Sequence, residues 1–269
     1  MQFRPCIDIH NGKVKQIVGG SLKDEKDQAL ENFVSERSAA DFARLYASYH
    51  LKGGHVVLLN AGDSEYYEAT KTQALEALHA YPGGLQVGGG VNPSNAVEFL
   101  DAGASHVIVT SYVFSQGQVQ MDKLKEISSA VGRERLVLDL SCKKIGGDYR
   151  IVTDRWQNVT ETILNEEALD MLAEYCDEFL VHAVDVEGKA SGIEEAMVAL
   201  LGNWGKKPVT YAGGVHDYLD LDQIKKAGRG KVDVTIGSAL DIFGGKMEFE
   251  KVILLSNSKE TAIKTTISF

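Results

Sequence analysis

Two aspartates stand where chemistry is expected. Asp8 closes the apolar run Phe3–Asp8, and Asp139 lies within Leu136-Val-Leu-Asp139-Leu. Burying an unpaired carboxylate is costly, so an acid inside an apolar strand needs a partner or a task. A neighbouring lysine or backbone N–H satisfies many such acids. Two of them at matching places in the two halves of a chain favour a general acid and a general base. Different surroundings can set two carboxyl groups to opposite protonation states.

Glycine-rich turns occur at the same spacing. Leu85-Gln-Val-Gly-Gly-Gly-Val91 matches Thr210-Tyr-Ala-Gly-Gly-Val215. Ala102-Gly-Ala-Ser-His-Val-Ile-Val-Thr-Ser111 matches the stretch from Ala227 to Ser238. Each set pairs a β-branched run with small residues whose N–H groups can face an anion, next to a helix N-terminus. One pocket is expected from Gly89, Gly90, Thr110 and Ser111, and its mirror from Gly213, Gly214, Gly237 and Ser238. Glycines also mark ordinary turns. Two sets in register, each followed by a matching helix and strand, favour phosphate binding.

The elements that hold these residues alternate. Strands are predicted at Phe3–Asp8, His55–Leu59, Leu85–Val87, His106–Val109, Leu136–Leu140, Glu178–Ala183, Val209–Tyr211 and Val232–Ile236. Helical patterns fall between them, the first opened by Ser38 and Asp41 as a capping box and stopped at Gly53-Gly54. Asn11-Gly12 marks a turn, and Lys23 to Asp27 a charged loop. The long connection from Ser141 to Thr162 holds a Gly-Gly-Asp hairpin and Trp156. Eight strand–helix units imply an α/β fold, a single (β/α)8 TIM barrel with half-barrels at about 1–131 and 132–269. An open doubly wound sheet is the alternative. In such a barrel the loops after strands seven and eight commonly hold a phosphate.

Composition narrows the function. The 269 residues are 44% hydrophobic, enough for a substantial core, and no linker divides them. The net charge of −10 argues against a nucleic-acid surface. No stretch is apolar enough to span a membrane. Cys6, Cys142 and Cys176 have neither metal nor disulfide spacing and read as buried small hydrophobes in a reducing compartment. The chain goes almost directly into a strand, so no signal or transit segment is expected in it. A cytoplasmic monomer is expected, or a plastid protein if a transit segment has been removed.

At this point the chain resembles a known family, the phosphoribosylformimino-5-aminoimidazole carboxamide ribotide isomerases of histidine biosynthesis, in their eukaryotic branch. The resemblance rests on Pro5-Cys-Ile-Asp8-Ile-His-Asn-Gly-Lys-Val14, Val87-Gly-Gly-Gly-Val91, Leu138-Asp139-Leu and Phe179-Leu-Val-His182-Ala-Val-Asp185-Val-Glu-Gly188. Tyr211-Ala-Gly-Gly-Val215 and Ile236-Gly-Ser-Ala239 extend it over almost the whole chain. It implies an Amadori rearrangement of an aminoaldose to an aminoketose on a substrate with two phosphates, without cofactor or metal. An acid opens the ribose ring, and a base moves the C2′ proton through an enolamine. By position Asp8 is the base and Asp139 the acid. The resemblance makes Trp156 a stacking partner for the imidazole carboxamide; ordinary loop packing is the alternative.

Two positions depart from the bacterial pattern. Asn92 stands where those relatives often have Arg, and His182 where they tend to have Thr. His182 either turns into the helical layer as a structural residue or reaches the cleft, touching a ribose hydroxyl or Asp139. The sister cyclase of the same pathway, which takes ammonia from a glutaminase, is a second reading. Its loop after strand one usually carries a Lys soon after the Asp, and here Ile9-His10-Asn11 follows. A non-catalytic sugar-phosphate-binding barrel is a third, and it would not need both acids.

Overall fold

The computed structural model describes residues 1–17, 31–153, 156–187, 189 and 191–257. The expected charged loop at Lys23 to Asp27 lies outside the described residues. Eight parallel strands run in chain order: β1 (Cys6–His10), β2 (Gly54–Leu58), β3 (Leu85–Gly88), β4 (Val107–Val109), β5 (Leu136–Ile145), β6 (Glu178–Ala183), β7 (Val209–Ala212) and β8 (Val232–Val234). The ring closes where Phe3 bridges Val234. Arg4 N–H donates to the Val234 carbonyl at 2.8 Å, and Val234 N–H donates to the Gln2 carbonyl at 3.0 Å. This closure excludes the open sheet and makes the fold a (β/α)8 barrel.

Helices follow the strands in turn: α1 (Ala39–Ser48), α2 (Tyr67–Ala80), α3 (Ala96–Asp101), α4 (Met121–Val131), α5 (Glu166–Ala173), α6 (Glu195–Trp204), α7 (Tyr218–Ala227) and α8 (Phe249–Asn257). The Ser38–Asp41 capping box opens α1 as expected. Its buried stripe of Ala39, Phe42, Ala43 and Tyr46 packs on the barrel, where the Tyr46 hydroxyl donates to the Cys6 carbonyl at 2.9 Å.

Strand alternation sorts the side chains. Outward residues such as Ile7, Val56, Leu138 and Val181 are fully buried beneath the helices. Each contributes roughly 1.5–3 kcal/mol of hydrophobic stabilisation. Inward residues form layers. Arg4, Gln86, Glu178 and Asp233 fill the floor, with Arg4 paired to Glu178 at 2.6 Å and to Asp233 at 2.8 Å. Ile108, Val137, Leu180 and Ala212 form an apolar central plug. One step further along the same faces come Thr110, Asp139 and His182. The plug seals the barrel, so chemistry is confined to the mouth.

Two excursions extend this frame beyond the expected eight units. Asn11 and Gly12, at φ of 52° and 72°, fold the chain back from β1 into a strand at Lys13–Ile17, which pairs with Glu31–Val34. β5 runs on to Ile145, five residues past the expected Leu140. Gly146-Gly147 then turns it into Asp148–Thr153, which pairs with Asn158–Ile163. The Gly-Gly-Asp hairpin is therefore present and continuous with β5. Tyr149, Ile151, Val152 and Thr153 are buried along the Asp148–Thr153 strand, which holds the segment in the sheet rather than as an irregular loop.

Candidate active site at the barrel mouth

Asp8, on β1, and Asp139, on β5, are both partly buried. Burial and the nearby Glu187 push the Asp8 carboxyl up to about 7, against the opposing pull of His182 and a hydrogen bond from Gln16. Gln16 Nε2 donates to Asp8 Oδ2 at 3.2 Å. Gln16 comes from the strand that follows the Asn11-Gly12 turn, so the hairpin lays a donor across the β1 acid.

Asp139 is held from both sides. Thr110 Oγ1, just past β4, donates to Oδ2 at 3.1 Å, and His182 Nδ1 lies 2.8 Å from Oδ1. The His182 ring therefore faces the cleft and not the helical layer. Burial alone would lower its pKa. The surrounding acids Asp139, Glu187 and Asp8 overcome that and raise it to about 9. Since His182 interacts with both aspartates, the two acids share one cleft.

Glu187, in the turn after β6, is a fourth member that its place in a loop motif did not reveal. Its Oε2 is buried and has no hydrogen-bond partner among the described residues. Burial raises its pKa, with His182 opposing and Asp139 adding to the rise. It lies against Gly213, where an added Cβ would sit 3.1 Å from Glu187 Oε2 and 2.9 Å from the Ala183 carbonyl.

The glycine turns mirror each other. Gly89 and Gly90 have φ of 100° and 70°; Gly213 and Gly214 have 121° and 76°. Gly89 packs on the Leu58 carbonyl at the end of β2, as Gly213 does on Ala183 at the end of β6. The outer glycines differ: nothing lies near a Cβ at Gly90, whereas Gly214 is covered by the Gly192 carbonyl. Gly90, Asn92, Ser111 and Lys123 line an open cleft, so Lys123 supplies a cation that the glycine pattern alone did not predict. The Thr110 hydroxyl is directed to Asp139 and leaves its backbone for any anion. Gly237 packs against the Gln16 side chain, with Ser238 partly buried beside it, after β8. Trp156 occupies the turn between the two hairpin strands beyond β5, at φ of 68° and partly buried.

Cys6, Asp8 and His55 bring three donor atoms within 4.8 Å of one another. Burial raises the Cys6 thiol and lowers the His55 imidazole to about 3, so both are neutral. A cation there would have to displace the thiol proton and occupy the Asp8 carboxylate. Cys6 Sγ is already in contact with the Ile236 carbonyl at 3.7 Å and Gln16 Nε2 at 3.8 Å, which makes it barrel packing.

Residues 2–248 match the family described as histidine biosynthesis protein. The chain belongs to that family. A chloroplastic relative from Medicago truncatula is 55% identical over 267 residues, 98% of this chain and 84% of its own. Its name is 1-(5-phosphoribosyl)-5-((5-phosphoribosylamino)methylideneamino)imidazole-4-carboxamide isomerase. Proteins of the same isomerase name from Neurospora crassa and Saccharomyces cerevisiae are 47% and 41% identical, each over 91% of this chain and 94% of the relative. The match carries the family across both halves of the barrel and both aspartates.

Proposed function

We propose that the chain is the aminoaldose–aminoketose isomerase of histidine biosynthesis. It converts the phosphoribosylformimino form of aminoimidazole carboxamide ribonucleotide to its ribulosyl form. The observation that carries the reading is the pair of acids at the ends of β1 and β5, joined through His182 in one cleft between mirrored glycine turns. Membership of the family, with relatives of this isomerase name over nearly the whole chain, supports it.

Asp8 serves as the base. A carboxyl group at about 7 is matched to taking a proton near neutral pH. It removes the C2′ proton, and the electron pair forms the enolamine. The acid centre lies at Asp139, which faces the same cleft from β5. The phosphate pockets are the turns of Gly89, Gly90, Thr110 and Ser111 and of Gly213, Gly214, Gly237 and Ser238. Two such pockets on opposite sides of the acids suit a substrate with a phosphate at each end. Trp156 stacks on the imidazole carboxamide. The two halves at about 1–131 and 132–269 each supply one acid and one pocket.

The test is turnover of the aminoaldose, followed spectroscopically, with Asp8→Asn and Asp139→Asn as controls. No conversion by the wild type would overturn the reading. For assembly and location we propose a cytoplasmic monomer; sedimentation and a tagged full-length protein test these. The chloroplastic Medicago relative supports the plastid stroma as the alternative.

A further inference from the structure

The turns after β4 and β8 match in sequence, Thr110-Ser111 against Gly237-Ser238. They serve the acid on the next strand differently. Thr110 Oγ1 donates directly to Asp139 Oδ2 at 3.1 Å. Gly237 has no side chain to offer Asp8, and a side chain from another segment fills the space. A Cβ built at Gly237 would clash with Gln16 Oε1 and lie 3.2 Å from Gln16 Cδ and 3.6 Å from Gln16 Nε2, and these are its three nearest atoms. Gln16 Nε2 in turn donates to Asp8 Oδ2 at 3.2 Å.

Backbone conformation does not account for this glycine. Gly213 and Gly214 lie in the left-handed region, but Gly237 does not, so its backbone would accept an L side chain. Space accounts for it. Gln16 is buried, and a buried amide must find partners. Besides Asp8, its Nε2 meets Cys6 Sγ at 3.8 Å, a weak acceptor. A methyl group at position 237 would take the place of Oε1 and push the amide off Asp8.

We propose that Gly237 is a positioning residue for the base: the side chain it lacks is the space in which the Gln16 amide is seated against Asp8. This rests on the isomerase reading, in which Asp8 removes the C2′ proton, and adds a residue that acts on the base through a neighbour. The anion pocket assigned to the same turn uses backbone N–H groups, which is a separate task. The half-barrels then hold their acids by two routes. In the first, a threonine after β4 donates to the acid itself. In the second, the donor comes from the hairpin after β1, and a glycine after β8 clears its place.

The titratable groups facing Asp8 are Cys6 on its own strand, His55 on β2, His182 on β6, Glu187 after β6 and Tyr46 on α1. None is among the three nearest neighbours of a Cβ at Gly237. A methyl group there reaches Asp8 through Gln16 and not by adding or removing charge. The amide hydrogen bond favours the carboxylate, so its loss moves the carboxyl upward from about 7.

The experiment is a double-mutant cycle of Gln16→Ala and Gly237→Ala, read by the pH dependence of kcat/KM and by denaturant unfolding. Gly237→Ala should move the acid limb upward by about one unit, the shift expected for Gln16→Ala. At about pH 6 that is about a tenfold loss relative to the plateau. The double variant should shift the limb no further than Gln16→Ala alone, since the side chain that Gly237→Ala displaces is already gone. A limb that stays in place in Gly237→Ala, or shifts that add in the double variant, overturns the proposal. If Gly237→Ala folds too poorly to assay, unfolding decides. A double variant that regains the stability of Gln16→Ala upholds the proposal, and one no more stable than Gly237→Ala overturns it. Absence of wild-type turnover would instead strike the isomerase reading, while the seating of Gln16 by Gly237 would still stand or fall by the unfolding cycle.

Discussion

Gln16 Nε2 donates to Asp8 Oδ2 at 3.2 Å, from the strand that folds back over β1. The bond favours the ionised carboxylate and so opposes the upward pull of burial and of Glu187. Its removal raises the Asp8 pKa further. A hydrogen bond to a charged group is worth roughly 1.5–3 kcal/mol, and one pKa unit is about 1.4 kcal/mol. Gln16→Ala should therefore move the acid limb of kcat/KM upward by about one unit. An unmoved limb would show that Gln16 does not set the base.

Replacing either acid by its amide keeps shape and removes the proton-transfer group. Asp8→Asn and Asp139→Asn should each lose at least about a hundredfold in kcat with circular dichroism unchanged. Normal turnover in a folded variant would remove that residue from the chemistry.

The barrel was legible because the strand and helix periods alternate eight times and the glycine turns repeat in register. The two acids were legible for the same reason. Gln16 was harder to find, since Asn11-Gly12 announces a hairpin but not which side chain its return strand lays on Asp8. The β5 extension is not legible in the sequence, because Gly146-Gly147 marks the hairpin turn but not how far the strands on either side of it continue the sheet. Glu187 gives no period at all. Its burial comes from the turn after β6 packing on Gly213, a contact between segments far apart in the chain. His182 carried a signal, a histidine at a strand end beside the strand of Asp139, and register then decided between cleft and helical layer.

The anion cleft gives a separable effect. At Gly90, φ is 70° and a Cβ meets nothing, so Gly90→Ala costs only backbone strain of about 1–2 kcal/mol. The methyl group nonetheless enters the cleft shared with Ser111 and Lys123. Gly90→Ala and Lys123→Ala should both raise KM more than they lower kcat. Sulfate in a crystal should occupy this cleft or its mirror. A kcat defect with unchanged KM would argue against phosphate binding here.

The barrel floor offers a control remote from the chemistry. Arg4 satisfies Glu178 and Asp233, both largely buried. Arg4→Met leaves two buried carboxylates without their cation, a change that typically costs about 3–5 kcal/mol. The melting temperature should drop sharply while kcat per folded molecule holds. A kcat loss larger than the loss of folded protein would mean that the floor communicates with the mouth.

Asp8 also links function to stability. Its carboxyl moves from 3.8 to about 7 on folding, so the folded chain binds a proton that the unfolded chain has lost over that interval. Stability therefore falls as pH rises from about 4 to about 7 and levels off above, where both states are ionised. The whole shift corresponds to an upper bound of about 4 kcal/mol, less whatever the neighbours recover by reorganising. Asp8→Asn has no such proton to lose. It should match the wild type in denaturant unfolding near pH 4 and exceed it by a few kcal/mol at pH 8. The same substitution thus abolishes turnover and stabilises the fold, as expected of a carboxylate kept at the mouth for its chemistry. A wild type that is as stable as Asp8→Asn at pH 8 would mean that Asp8 is ionised in the fold at no cost, and its role as a base tuned by burial would fall.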